Sequence, residues 1–439
     1  MGKGLLFALL LLLPVGPAFA EGEGPTWYGS VKNIVMDKCA GCHSAGNIGP
    51  FQLTRFEEVY ALRHIIADSV RQDRMPPWIA AKGCNEYLDD ISLTVDEKKD
   101  LLTWLDAGLP KGDEAEYTAS PPRDEVVTFN TEIKMHRPYE PRRGLEDDYR
   151  CFIMEPGTTE DMYINGFFLD VDRKDMAHHM LAYLVDAEYV EEARTWEEDG
   201  PGSGYSCFGL PSRSLNTGFI RIGSWVPGMY PYRMPGDTGY PFKAGSAIIM
   251  QMHYNTLTAG PGGDQSTLKL NLVPKIRRPA VDAMFLNPLW AIPGIMRIPA
   301  GETHVEHSWE SDYSSTMLGI DGALIGMERG QSFEMFGVHL HMHQLGSGGR
   351  IELIRANGER ECLLDIRNYD FAWQRGFLFR NEVTVYPGDR VRMTCEWDNS
   401  PENQPVVDGR RLPVRNVSWG EGTRDEMCLG GLLYTGIKL

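Results

Sequence analysis

Past Glu125 the helical period of the apolar residues disappears from this 439-residue chain. Short runs rich in Val, Ile, Tyr and Phe replace it, such as Met180–Val185, Ser246–Tyr254 and Arg390–Trp397. Clusters of Gly, Pro, Asn and Asp separate them, as in Pro387-Gly388-Asp389. Strands of this kind bury a face only when sheets stack, so the larger part of the chain is expected to be all-β. Before that point the pattern is helical. Val59, Leu62, Ile66 and Val70 recur at helical spacing, with Thr54 as the cap. Thr94-Val95-Asp96-Glu97 is a capping box, and the helix it opens carries Leu101, Trp104 and Leu105 before stopping at Gly108 and Pro110.

The extreme N-terminus is punctuated differently. Lys3, an apolar run from Leu5 to Val15 and then Ala18-Phe19-Ala20 spell a secretory leader over residues 1–20, too short to span a bilayer. No later stretch is apolar for long enough to be a transmembrane helix, so a periplasmic or secreted protein without a membrane span is expected. Its eight cysteines would then meet an oxidising compartment, where disulfides persist. A formal net charge of −18 argues against nucleic acid or an anionic membrane surface as partner. The length suggests about three domains.

In the helical part, Cys39-Ala40-Gly41-Cys42-His43 is C-x-x-C-H, the attachment signature of one covalent c-type haem. Cys39 and Cys42 would form the thioethers and His43 would ligate the iron. The competing reading is a chance match or a redox-active dithiol. Arg74-Met75-Pro76-Pro77-Trp78 offers Met75 as the second axial ligand on a proline-stiffened loop. Residues 25–118 resemble class I c-type cytochromes, which implies a small all-α domain around an electron-transfer haem. Cys84 has no place in that pattern. Asp113 to Glu125, with Ser120, Pro121 and Pro122, reads as an acidic exposed connector, with the linker proper at 119–125.

The β part holds three histidine clusters. In Gly337-Val338-His339-Leu340-His341-Met342-His343, side chains two apart on a strand leave the same face, so His341 and His343 can grip one metal ion and His339 is a spare. Neutral imidazoles suit copper, zinc, iron or nickel, and a thioether ligand tilts the choice towards Cu(I). His178 and His179 are neighbours, and on a regular strand they would point to opposite faces. One ion could take both only at a bend or strand end. His253, in Met250-Gln251-Met252-His253, supplies a third imidazole. Met427, in Asp425-Glu426-Met427-Cys428, is a candidate soft ligand, although most of the 20 methionines must be core filling.

The order His178-His179, His253, His341-x-His343, Met427 resembles the copper type II, ascorbate-dependent monooxygenases. The likeness covers residues 126–439 and rests on the segments AHHML, QMHY, HMHQLG, TCEWDN and DEMC. It implies two jelly-roll-like sandwich domains, 126–275 and 276–439, facing each other across a solvent-filled cleft. Of two coppers, His178, His179 and His253 would hold the electron-donating one. His341, His343 and Met427 would hold the oxygen-binding one and so be the catalytic set. Disulfides Cys151–Cys207 and Cys395–Cys428 are implied by position, and Cys84 and Cys362 are left unassigned. The implied reaction hydroxylates a C–H bond of a small molecule with O2. Electrons arrive singly from ascorbate or a redox protein, and the fused cytochrome is expected to supply or relay them. Peptide-amidating members carry an arginine where this chain has His339, and an asparagine and a tyrosine where it has Leu429 and Gly431. Peptide amidation is therefore not expected, and the small or apolar residues of Leu429–Leu433 point to an uncharged or hydrophobic substrate. Two other readings compete: a non-catalytic copper-binding electron-transfer or storage protein, and a structural β-sandwich holding zinc or nothing. Met427 counts against the last, because zinc sites rarely use thioether.

Overall fold

The computed structural model describes residues 24–437 other than 46, 48, 89, 121–126, 145–147, 198–203, 208–210, 214–218, 228, 230, 257–258, 317, 372, 374, 408, 421 and 423. The leader expected at 1–20 and linker residues 121–125 lie outside the described residues. The protein is mostly β-sheet with few helices, and no described helix is long and apolar enough to cross a membrane.

Three helices, α1 (Lys32–Lys38), α2 (Phe56–Arg71) and α3 (Val95–Asp106), form the N-terminal segment. They enclose a small core in which Trp27 stacks on Trp104 at 5.7 Å and Phe56 meets Trp27 edge-on at 5.9 Å. The capping box at Thr94 is present in both directions. In α2 the cap falls one residue later than Thr54. The Glu58 carboxylate collects the backbone N–H groups of both Thr54 (2.8 Å) and Arg55 (3.0 Å), which makes Arg55 the boundary. Helix α3 stops at Ala107 because Gly108 (φ +85°) turns the chain left-handed, a conformation open to glycine at little cost.

A nine-stranded sheet runs through the whole β region. Five of its strands precede residue 275: β1 (Thr131–Lys134), β10 (Thr267–Val273), β3 (Met162–Asp170) and β8 (Thr238–Phe242), with β7 (Tyr232–Arg233) pairing beside β3. The rest follow it: β11 (Arg278–Phe285), β20 (Leu429–Gly436), β13 (Phe333–His341) and β16 (Phe377–Val385). On the first half packs a five-stranded sheet, in the order β5 (Tyr205–Ser206), β2 (Asp148–Met154), β9 (Ala247–Tyr254), β4 (Ala177–Val185) and β6 (Phe219–Trp225). On the second half packs a four-stranded one, β12 (Val305–Ser311), β17 (Arg390–Trp397), β14 (Gly346–Ile354) and β15 (Arg360–Ile366). A hairpin of β18 (Val406–Val407) and β19 (Arg410–Arg411) stands apart.

The two halves also meet along a seam. Strands β8 and β11 pair in parallel at Thr238–Arg278 and Gly239–Pro279, which closes one sheet over both halves. Phe336, Leu378 and Leu433 of the second half are buried in the core of the first. Arg278, at the join, donates to Glu382 through two nitrogens (2.6 and 2.9 Å) and also to Glu334. Pairing at the seam satisfies two strand edges that would otherwise stay open.

Three disulfides are formed: Cys151–Cys207, Cys395–Cys428 and Cys84–Cys362. The first two are the pairs that the resemblance implied. The third joins the loop after Met75 to β15 across 278 residues of sequence. Backbone bonds run beside it: Ala81 N–H donates to the Asp365 carbonyl (2.7 Å), Leu88 N–H to Leu378 (2.9 Å) and Arg380 N–H to Glu86 (2.9 Å).

Candidate metal centres

The condition that two adjacent histidines impose is met by a bulge. Between β4 and β9 the register slips, with Ala177 opposite Tyr254 but His179 opposite His253, so His178 is the extra residue. A bulge re-aims the side chains beside it, and both imidazoles turn towards His253. The Nδ1 atoms of His178 and His253 stand 3.1 Å apart, and those of His253 and His179 stand 3.3 Å apart. Tyr149 lies flat on the His253 ring at 4.2 Å and fixes its plane. Burial, together with the neighbouring His253, His178 and His341, holds His179 well below the usual imidazole range. A neutral ring keeps a lone pair for a metal. Among the described residues this trio is the group of histidine, cysteine and carboxylate side chains whose ligand atoms converge, all within 4.8 Å. Three imidazoles with no carboxylate fit copper or zinc and not magnesium or calcium.

The second set is built at a strand end. Strand β13 finishes at His341, so His343 lies in the loop beyond it and not on the regular period-two face. Hydrogen bonds do the aiming. The His343 backbone N–H donates to the Glu426 carboxylate (2.8 Å), and its Nδ1–H donates to the Asp425 carbonyl (2.9 Å), leaving Nε2 to carry the lone pair. The two rings sit 5.1 Å apart at 82°. Glu426 also accepts from Leu345 N–H (2.7 Å) and Trp397 Nε1–H (2.9 Å), and Cys428 is bonded to Cys395. Met427 is therefore held between two anchored residues. Burial raises the Glu426 carboxyl to about 7 despite those donors.

His339, the expected spare, is not available. Its Nε2–H donates to Asp282 (3.2 Å), which accepts in turn from Arg221 (2.9 Å). Burial pushes the Asp282 carboxyl up, but His339 and then Arg221 outweigh it and hold the group below its ordinary value. His339 pairs with Gly431 across the sheet, and a Cβ at 431 would come 1.8 Å from its Nε2. The imidazole fills the space that a side chain at 431 would need.

A cavity of about 230 Å³ is lined by His179 and Tyr149 from one side and by His341, His343 and Met427 from the other. Leu181, Phe219, Val281, Phe371 and Leu429 supply apolar wall. Arg221, Asp282, Phe371 and Arg375 were not singled out from sequence. They sit in unremarkable strand or loop contexts, and only the fold brings them to the cavity.

In the N-terminal segment, Cys39 and Cys42 are free thiols while the other six cysteines are paired. Burial, and then Cys42, raise the Cys39 thiol to about 12, unlike the low-pKa thiol of a redox-active dithiol. The buried His43 donates Nδ1–H to the Phe51 carbonyl (3.0 Å), which leaves Nε2 as its ligand atom. Met75 lies on the loop after α2, with 42% of its surface exposed.

Residues 292–436 match the copper type II ascorbate-dependent monooxygenase, C-terminal domain. DBH-like monooxygenase protein 1 of Gallus gallus is 26% identical over 270 residues, covering 60% of this chain and 40% of that protein. MOXD1 homolog 2 of Drosophila melanogaster is 23% identical over 356 residues, covering 73% of this chain and 45% of its own length. Dopamine beta-hydroxylase of Canis lupus familiaris is 23% identical over 217 residues, covering 48% and 31%. These matches support the copper type II ascorbate-dependent monooxygenase family. This chain spans about two fifths of the length of the first of these relatives. Among solved structures, the major capsid protein P2 of bacteriophage PM2 aligns over 70% of this chain and 98% of its own, at 7% identity and a TM-score of 0.22, too low to inform function.

Proposed function

We propose that the protein is an exported haem- and copper-dependent monooxygenase that hydroxylates a C–H bond of a small organic substrate with O2. The observation that carries this is one mostly apolar cavity lined by His179 of the converging His178, His179 and His253 trio on one side and by His341, His343 and Met427 on the other. A protein that only stored or shuttled copper would not need that space, which weighs against the non-catalytic reading. When bound, copper would supply O2 activation and one-electron chemistry, and a c-type haem on Cys39, Cys42 and His43 would supply single electrons.

The chain's own residues contribute positioning and a largely apolar wall. Burial keeps His179 neutral and able to donate a lone pair. The Asp425 carbonyl sets the tautomer and ring plane of His343. Met427 offers a soft sulfur that favours the reduced metal. The Arg221, Asp282 and His339 network compensates its own charges, so the wall near Leu429 suits an uncharged or hydrophobic molecule. Three disulfides agree with an oxidising, periplasmic or extracellular setting. Partners on this reading are O2, the substrate and a one-electron donor, ascorbate or a redox protein.

Metal analysis of protein made in a haem-maturing, copper-supplied host should give two coppers and one haem iron per chain. Met427→Ile should then abolish O2-dependent turnover and leave the haem spectrum unchanged. Retained turnover would refute the catalytic assignment.

A further inference from the structure

From Ala283 to Met296 the chain carries no charged residue, although 24% of it is charged overall. Most of this stretch is a compact loop that follows β11. The Asn287 side chain accepts from Leu289 N–H (3.0 Å), Pro288–Ala291 form a short 3-10 helix, and Ile295 N–H donates to the Ile292 carbonyl (3.1 Å). Trp290 turns inward, is buried and stacks on Trp419 at 6.5 Å, which pins the loop. Leu289, Ile292 and Ile295 nevertheless stay in water, 57%, 51% and 49% exposed. Apolar residues exposed singly are ordinary, whereas several together mark a contact surface. This surface borders the cavity. Met284 at the near end of the loop and Leu324 on the helical turn Gly322–Ile325 are both exposed, and both are cavity wall. Past the far end Ile298 bridges to Val417, and Trp419 bridges to Glu426, the neighbour of Met427.

We propose that residues 288–295 insert into the surface of a zwitterionic lipid layer and set the mouth of the cavity against it. The loop offers no charge to pair with an acidic or basic protein surface. It is also too small to hold a second copy, since a stable interface takes roughly 20–30 residues a side. The first charge beyond it, Arg297, is basic and exposed, so its stem can follow the aliphatic tip while its guanidinium stays at lipid phosphate. The net charge of −18 repels anionic lipid, which leaves zwitterionic headgroups as the fitting surface. The protein then lies on the lipid and does not span it. A lipid-soluble substrate would enter past Met284 and Leu324. That last step rests on the monooxygenase reading proposed above, and the docking itself does not.

The test is co-sedimentation of the full-length protein, made in a haem-maturing, copper-supplied host, with phosphatidylcholine vesicles, alongside light scattering without lipid. Wild-type protein should sediment with the vesicles. The double variant Leu289→Glu, Ile292→Glu should bind them at least about tenfold more weakly, because each large apolar side chain withdrawn from water is worth about that factor. Ile65→Glu, at an equally exposed position on α2, should bind as wild type. Ile295→Ser alone should weaken binding by a smaller factor, which covers the case that the double variant does not fold. Wild-type protein that stays in solution, or a double variant that sediments as well as wild type, would overturn the docking. So would binding confined to phosphatidylglycerol vesicles and abolished by salt, or a dimer that the double variant splits with no vesicle binding. Failure to take up haem or copper would overturn the functional reading and leave the docking standing, since sedimentation is read without turnover.

Discussion

The two candidate metal centres are positioned by opposite means. The His178, His179 and His253 trio is built into paired strands, where a single bulge does the aiming and Tyr149 stacks behind one ring. The His341, His343 and Met427 set begins where β13 ends, and its geometry depends on the Glu426 hydrogen bonds and the Cys395–Cys428 disulfide. A site embedded in a sheet inherits the rigidity of the ladder. A site at a strand end has to be tied down by side chains, and is the more easily loosened.

The largest effect should come from cutting the tie at the second centre. Replacing Cys395 and Cys428 by serine should cost roughly 2–5 kcal/mol in chemical denaturation. It should also weaken copper binding at His341, His343 and Met427 while leaving the trio unchanged, as read by metal titration. Equal weakening of both centres would break the contrast. Gly431→Ala should cost roughly 1–3 kcal/mol, because the new Cβ and the His339 ring cannot share the same space. His339→Ala in the same chain should recover part of that loss. At the first centre, His178→Ala should lower copper affinity there by at least about tenfold with little change in unfolding free energy, since the residue is half-buried and outside the register. A further effect is on pH. Because the buried Glu426 carboxyl titrates near 7 in the folded metal-free protein and near 4.5 when unfolded, the folded state holds an extra proton between those values. Stability from this group therefore falls as pH rises from about 4.5 to about 7 and levels off above, and Glu426→Gln should remove that slope. A slope of opposite sign in the metal-free protein would show that its N–H donors outweigh burial.

Much of the local structure could be read from the chain. The capping box at Thr94 and the strand Arg390–Trp397 are where their patterns put them. The requirement that His178 and His179 sit at an irregularity follows from strand geometry, and the bulge satisfies it. The role of His339 stayed open because period two says which face a residue leaves, not what already occupies that face. Asp282 lies 57 residues away in sequence and claims the ring. Cys84 and Cys362 could not be paired for the same reason: at a sequence separation of 278, neither spacing nor context favours one partner over another.

What the amino-acid sequence decided alone is short-range: which segments coil and which extend, where helices are capped, and which side chains could hold a metal. Those choices depend on torsional preference and on periods of two or a few residues. The tertiary structure decided the rest. It joined both β halves through one sheet, lined one cavity with ligands from both sets and latched the loop after Met75 to β15. Each of these depends on contacts between residues far apart in the chain, whose meeting is settled by the packing of whole sheets and not by any local pattern.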